Sequence, residues 1–193
     1  MSVFARRVGA RNALYVLAVA AIAWLLQSEA VLLVGCSFVQ YGIYLVVFHR
    51  RRVDDFERFV RDAVFFKGVS FGLLGACAWP VFTPDPLSLT LMAVGFGLST
   101  WSASLLGRDR TYFAAELGLV EPKWVDRFPY GFIPHPMNVG SMIGLVGVGA
   151  LPGFHDRWPW LVPAHLGLYG VHLAQEIADG CVRSAPGAST TPP

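Results

Sequence analysis

Charge is scarce in this sequence. Only 15% of its 193 residues are Asp, Glu, Lys or Arg, against about 25% in an ordinary soluble domain. With 54% apolar residues and a mean hydropathy of +0.51, the chain is poorly suited to a water-exposed surface. Cysteine is scarce as well. There are three, Cys36, Cys77 and Cys181, an odd count with two inside apolar runs. That excludes a disulfide framework and makes them small buried hydrophobes. There is no Walker motif, no Cys-x-x-Cys pair and no nucleophile elbow. The scraps "GFGLS" and "GVGA" follow no strand of a βαβ unit, so they are not a dinucleotide fingerprint. After the basic "MSVFARRVGARN" the apolar run has no small-residue cleavage site, and no cleavable signal is expected. No internal repeat is present.

What is present is apolar and clustered. Six segments read as helical: Ala13–Leu26, Ala30–Phe48, Ala63–Phe82, Leu87–Leu106, Met137–Leu151 and Trp160–Ala178. Several approach the roughly 20 residues that cross a bilayer as helix. The first and fifth are short, about 15 residues or 22 Å, as if they began inside the membrane or beside a thinned bilayer. A Pro-rich turn, "WPVFTPDPLS", joins the third and fourth. Placing the N-terminus in the cytosol puts Arg6, Arg7, Arg11, Arg50, Arg51, Arg52, Arg58, Arg61, Lys67, Arg108, Arg110, Lys123, Arg127 and Arg183 on that side. Only Arg157 is left opposite. The positive-inside rule therefore supports six spans with both ends cytosolic; four or five would result if the first segment were a hairpin arm.

Two stretches are not spans. "VDDFERFVRDAV" sets Phe56, Phe59, Val60, Ala63 and Val64 on one helical face, with Asp54, Asp55, Glu57, Arg58, Arg61 and Asp62 elsewhere. This spacing fits an amphipathic helix lying at the interface; a plain linker into the third span is the alternative. The tail "RSAPGASTTPP" is small, polar and Pro-rich, and disorder is expected there. The expected fold is thus all-α: a polytopic transmembrane helix bundle of about six spans with one interfacial amphipathic helix. Residues 1–62 form the N-terminal spans and interfacial helix, 63–180 the membrane core and 181–193 the tail.

Polar chemistry collects in the loop from Gly107 to His135, about 29 residues and too long for a simple connection. At its end, "FPYGFIPHPMNVGSMIGLVG" passes from kinked and polar directly into apolar helix. Pro134 and Pro136 bracket His135, and a residue before proline avoids the helical region, so the chain is expected extended through His135. Pro136 suits a first helical turn. The fifth helix would then face its free backbone donors toward the loop, where an anionic group is stabilised. An ordinary Pro-started membrane helix would look the same. Gly140, Gly144 and Gly147 follow; "GSMIG", like "GVSFG" at Gly68–Gly72, is a small-xxx-small pattern that lets helices approach closely.

In the sixth segment His165, Tyr169, His172 and Glu176 are spaced 4, 3 and 4, which aligns them on one helix face. Ionisable groups in a membrane helix normally face the bundle interior or a cavity. A carboxylate at Glu176 could hold a cationic amine of a ligand. The alternative is snorkelling of Gln175 and Glu176 to the interface. His172 and Glu176 also suit a metal, but no third ligand follows, and no metal is expected. After the fourth span, Gly107 permits a turn. Arg108 and Arg110 lie at headgroup depth, either binding lipid phosphate or anchoring the cytosolic side.

With these residues in view the chain resembles the phospholipid methyltransferase family, which includes the phosphatidylethanolamine N-methyltransferases and is related to the isoprenylcysteine carboxyl methyltransferases. The likeness runs from about Leu105 to Glu176. The family's Gly-x-x-Gly-Thr-Phe/Tyr-like turn is here Gly107 to Phe113, with Arg110 at the second Gly. Its Val-x-x-Phe-Pro-Phe/Tyr-like entry is Val125 to Tyr130. Its Asn/His-Pro-x-Tyr-x-Gly-Ser stretch is His135 to Ser141, with Asn138 at the Tyr. Its closing acidic pair is Gln175-Glu176, with Gln175 at the first acid. Each departure bears on cofactor affinity or substrate choice.

The resemblance implies S-adenosylmethionine as cofactor, bound without a Rossmann domain by Gly107, Thr111, His135, Pro136, Gly140, Gln175 and Glu176. Tyr112 and Tyr130 could face the sulfonium. Arg108, Arg110, Tyr130 and Asn138 are the candidate acceptor-binding residues, and Glu176 and His172 the candidate catalytic ones. The implied activity is N-methylation of phosphatidylethanolamine or its methylated derivatives. Alternatives are a carboxyl methyltransferase acting on isoprenylcysteine or another hydrophobic acceptor, and a non-enzymatic scaffold or lipid-binding protein. The expected partners are a membrane phospholipid and the bilayer, not nucleic acid; the oligomeric state stays open. The expected location is the endoplasmic reticulum or a bacterial inner membrane, with the site facing the cytosol.

Overall fold

The computed structural model describes residues 3–121 and 125–183, with side chains over 9–121 and 125–178. All regular structure among the described residues is helical. The chain divides into two compact units, Met1–Pro80 and Val81–Pro193. The boundary expected at residue 62 falls inside a helix.

In the first unit α1 (Val3–Leu25) packs on α2 (Glu29–Ser37) and α4 (Phe56–Ala78), and α3 (Val39–Arg50) packs on α4. The second apolar run is not one helix: Phe38 interrupts it between α2 and α3. Asp55 starts α4, its carboxylate accepting from Arg58 N at 2.9 Å, as an N-cap does. The separate interfacial helix expected at the start of this segment is a correction. "VDDFERFVRDAV" runs into the third span as a single helix, and Phe59, Val60 and Ala63 are buried. The reason is packing. Helices α1, α2 and α3 cover this face, so the apolar stripe that could have met lipid meets protein. The stripe continues through Phe66, Ser70, Leu74 and Cys77, at the three- and four-residue steps of a helix face. Gly68 and Gly72, expected to pack helices closely, do not: a Cβ on either would meet nothing within 4 Å.

A 3-10 turn, Trp79–Val81, follows α4. In the second unit Asp85 caps α5 (Pro86–Leu106), accepting from Ser88 N at 2.7 Å, and Pro86 occupies the first turn, where its missing N–H costs nothing. Helix α5 packs along α7 (Pro136–Gly149), and α7 packs on α9 (Leu161–Arg183); the short α6 (Arg108–Thr111) and α8 (Phe154–Arg157) flank them. The α5–α7 contact is backbone against backbone. A Cβ on Gly140 would stand 2.6 Å from Ser99 N, and one on Gly147 2.7 Å from Met92 N. A Cβ on Gly95 would overlap Gly144 N. Ser99 and Ser141 share a buried hydroxyl hydrogen bond of 2.9 Å across the seam. Small residues at these positions let the axes approach this closely.

The expected count of six spans is matched in part. Among the described residues three helical stretches, the first broken at Phe38, are long and apolar enough to cross a membrane: Glu29–Arg50, Phe56–Val81 and Pro86–Leu106. Gly9–Leu25 and Pro136–Gly149 are apolar but shorter. Helix α9 has the length, but His165, His172, Gln175 and Glu176 dilute its hydropathy. The tail expected to be disordered begins while α9 still runs, and its residues from 184 on lie outside those described.

Candidate active site

The centre of the second unit is Glu176. Its Oε2 accepts from His135 Nδ1 at 2.7 Å and from Asn138 Nδ2 at 2.9 Å. Its Oε1 lies 3.2 Å from His172 Nε2, one turn back on α9. Carboxylate oxygens only accept, so both imidazole nitrogens that face it carry protons. His135 and Asn138 come from the start of α7, three residues apart and so on one face. His172 and Glu176 come from α9. The pairing of these two helices is therefore what assembles the site. On α9 the face predicted to turn inward does so: His165, Tyr169 and His172 are all buried.

His135 is not extended as its place before a proline led us to expect. It lies in the left-handed region, φ 49° and ψ 53°, at the N-cap of α7. Proline at the next position excludes only the right-handed helical region, and histidine is among the side chains enriched in the left-handed one. Such a backbone costs about 1 kcal/mol and persists where the surroundings hold it. Here the hold is the bond to Glu176. That bond, opposed by partial burial, raises the His135 pKa above its ordinary value. His135 makes no side-chain cap to α7, so its ring is committed to the carboxylate.

Tyr130 stands beside this group. Its hydroxyl donates to Ser102 O at 3.2 Å. Burial, and then the Glu176 charge, push its pKa up to about 12. It is a neutral phenol at physiological pH, a hydrogen-bonding group and not a base. Phe113, which ends the family-like turn but was given no site role from the sequence, packs edge-on against His172 at 5.3 Å between ring centroids. Its backbone φ of 65° is uncommon for a bulky residue; no local motif announces it.

The other expected site residues are distributed as follows. Gly107 has φ 84° and closes α5 through its N–H to Ala103 O at 3.0 Å. Thr111 Oγ1 donates back to Gly107 O at 2.9 Å, so the hydroxyl winds the turn. Arg110 Nε donates to Glu121 O at 3.1 Å. Arg108 opens α6 beside it. Pro136 is fully buried in the first turn of α7, and Gly140 is spent on the contact with α5. Gln175, next to Glu176, has a buried Oε1 with no hydrogen-bond partner. An orphaned buried acceptor is unusual in a finished structure. The Glu176 carboxylate is itself an acceptor that fits the ammonium of S-adenosylmethionine.

The family model for phospholipid methyltransferase matches residues 86–174. No curated protein and no solved structure matches the chain. The match opens on the first residue of α5 and takes in α7 and most of α9, stopping just short of Gln175 and Glu176. It thus covers His135, Asn138 and His172, and over residues 86–174 the chain is similar to the phospholipid methyltransferase family.

Proposed function

We propose that this chain is an integral membrane methyltransferase that uses S-adenosylmethionine to methylate the nitrogen of phosphatidylethanolamine or its methylated derivatives, with its site at the cytosolic face. The observation that carries the reading is the Glu176 carboxylate, two residues past the matched region, gathered by three residues inside it, His135, Asn138 and His172. Glu176 and the Gln175 carbonyl would hold the cofactor's amino group, with Gly107, Thr111, His135 and the start of α7 around it. When bound, S-adenosylmethionine would supply an electrophilic methyl carbon: the C–N bond to the acceptor would form in line as the C–S bond breaks and S-adenosylhomocysteine leaves.

The chain's own residues then have two tasks. The first is alignment, which accounts for much of the rate in such a transfer. The second is removal of a proton, because an ammonium has no lone pair to offer. His172 suits that task. Its Nε2–H is turned to Glu176, which leaves Nδ1 as the basic atom of the ring. Glu176 stabilises the imidazolium that forms, and Phe113 fixes the ring plane. Tyr130 and Asn138 line the acceptor side, and Arg108 and Arg110 offer cations to lipid phosphate.

The test is calorimetric binding of S-adenosylmethionine to detergent-purified protein, followed by transfer of a labelled methyl group to phosphatidylethanolamine in nanodiscs. Micromolar binding that His135→Ala abolishes, with transfer that Glu176→Gln abolishes, supports the reading. Binding with transfer only to an isoprenylcysteine acceptor moves the activity to carboxyl methylation. No binding by folded protein in lipid makes the chain a scaffold.

A further inference from the structure

Beside the site an unbroken line of aromatic rings faces outward. Trp101 on α5 is 50% exposed, Phe128 44% and Phe132 77%. Trp101 and Phe128 lie 5.2 Å apart between ring centroids, and Phe128 and Phe132 6.0 Å. Leu87 and Val94, also exposed, precede Trp101 at intervals of seven residues, two helical turns each, and so share its face. Helix α5 is long and apolar enough to cross a membrane. Its exposed stripe therefore continues from a membrane-crossing surface onto the loop that ends at His135.

The turn bearing the phenylalanines is well tied. Gly131 N bonds Arg127 O at 3.3 Å, and Phe132 N and Ile133 N bond Pro129 O at 3.1 and 2.9 Å. Pro129 is fully buried, and a Cβ on Gly131 would overlap Asp126 O. Between the two outward rings Tyr130 turns the other way, to Ser102 O and within the field of Glu176. One rigid turn thus shows two phenyl rings to the outside and one phenol to the polar site. Arg127, exposed and next to Phe128 in the chain, is a cation for phosphate.

We propose that Trp101, Phe128 and Phe132 form the track on which an acyl chain of the acceptor phospholipid lies, bringing its headgroup to the Tyr130 side of the same turn. The identity of the acceptor rests on the proposed function; the lipid track rests on the continuity of the exposed face with α5. A diacyl lipid fits this surface because the track needs an apolar tail on one side and a polar head within the width of one turn.

A phosphatidylethanolamine carrying a photoactivatable diazirine on its acyl chain, in nanodiscs with the full chain, tests this directly. Labelled peptides should centre on Trp101, Phe128 and Phe132, several-fold above the peptide holding Leu87, which meets the bilayer without belonging to the track. The double variant Phe128→Ser, Phe132→Ser should remove that excess while Leu87 labelling persists. In transfer assays the same variant should raise KM about tenfold more for a dioleoyl than for a dihexanoyl acceptor, since only the longer chain reaches along the rings. Equal labelling of track and Leu87 peptides, or an equal KM change for both acceptors, would overturn the proposal and leave a bulk bilayer contact. Track labelling in a protein that transfers no methyl would uphold the track and overturn the reaction.

Discussion

The two units hold their helices together by different means. In Met1–Pro80 side chains fill the space between helices: Tyr15 meets Phe66 edge-on at 5.6 Å, Tyr44 meets Phe59 at 6.2 Å, and the glycines at 68, 72 and 75 face open space. In Val81–Pro193 the side chains are removed and α5 lies backbone to backbone on α7. Each unit also has one polar cluster. In the first, Arg11 and Asn12 of α1 both reach Asp62 of α4 at 2.7 Å. In the second, His135, Asn138 and His172 converge on Glu176. The first cluster joins oppositely charged partners and ties two helices. The second surrounds one carboxylate with two imidazoles and an amide. Similar geometry therefore ties two helices in one unit and, on the proposed reading, handles a proton in the other.

The largest contrast should appear in transfer rates. Glu176→Gln should lower methyl transfer by about 10² to 10⁴, the usual span for loss of acid–base assistance, because the His172 imidazolium loses the carboxylate that stabilises it. Asp62→Asn should cost stability without moving the KM for S-adenosylmethionine, as measured on folded protein in nanodiscs. If both variants lost transfer equally at full folding, the two clusters would not differ as described.

Next comes packing. Gly140→Val, or Gly95→Val, should destabilise the second unit by about 3 kcal/mol, the upper end of overpacking costs, because the added atoms meet backbone that cannot rotate away. Equilibrium unfolding in mixed micelles reads this directly. In the first unit Asp62→Ala leaves the buried Asn12 amide without its partner and should cost about 1–3 kcal/mol.

The response to pH should be smaller and confined to the second unit. The His135 pKa is raised in the folded protein by its bond to Glu176. Its contribution is therefore complete below the ordinary histidine value of 6.5 and fades as pH rises through the higher folded value. Melting of the second unit should weaken over that alkaline-going window, and His135→Gln should flatten the change. A wild-type profile identical to that of the variant would remove the charge from this contact. The smallest effect is expected at Gly72→Ala: with open space at the Cβ, the gain in helix propensity, about 1 kcal/mol at most, should stabilise the first unit slightly.

Much of the second unit was legible in the residues. The i, i+4 and i, i+3 spacing of His165, Tyr169, His172 and Glu176 predicts a common inward face, and periodicity is a local property. Asp85-Pro86 marks the start of α5 for the same reason. The start of α4 read less well. Its stripe of Phe59, Val60 and Ala63 says that one face is covered but not by what, and protein covers it where lipid was expected. Gly68-x-x-x-Gly72 and Gly140-x-x-x-Gly144 are alike as strings. Only the second has a helix against it, since a pattern specifies a surface and not its occupant. His135 was misread because the proline rule excludes one backbone region and leaves two.

By itself the sequence determined an all-helical, membrane-suited chain, the loop where polar residues gather, and the carboxylate at the end of the last helix. Each of these follows from composition or from spacing along one chain. Tertiary structure alone decided that Asn138 and His135 close on Glu176 from across forty residues of chain, that Phe113 braces His172, and that Gly140 is spent on α5. Those contacts join residues far apart in the chain, and they exist only because α7 packs on both α9 and α5, against the latter backbone to backbone at small residues.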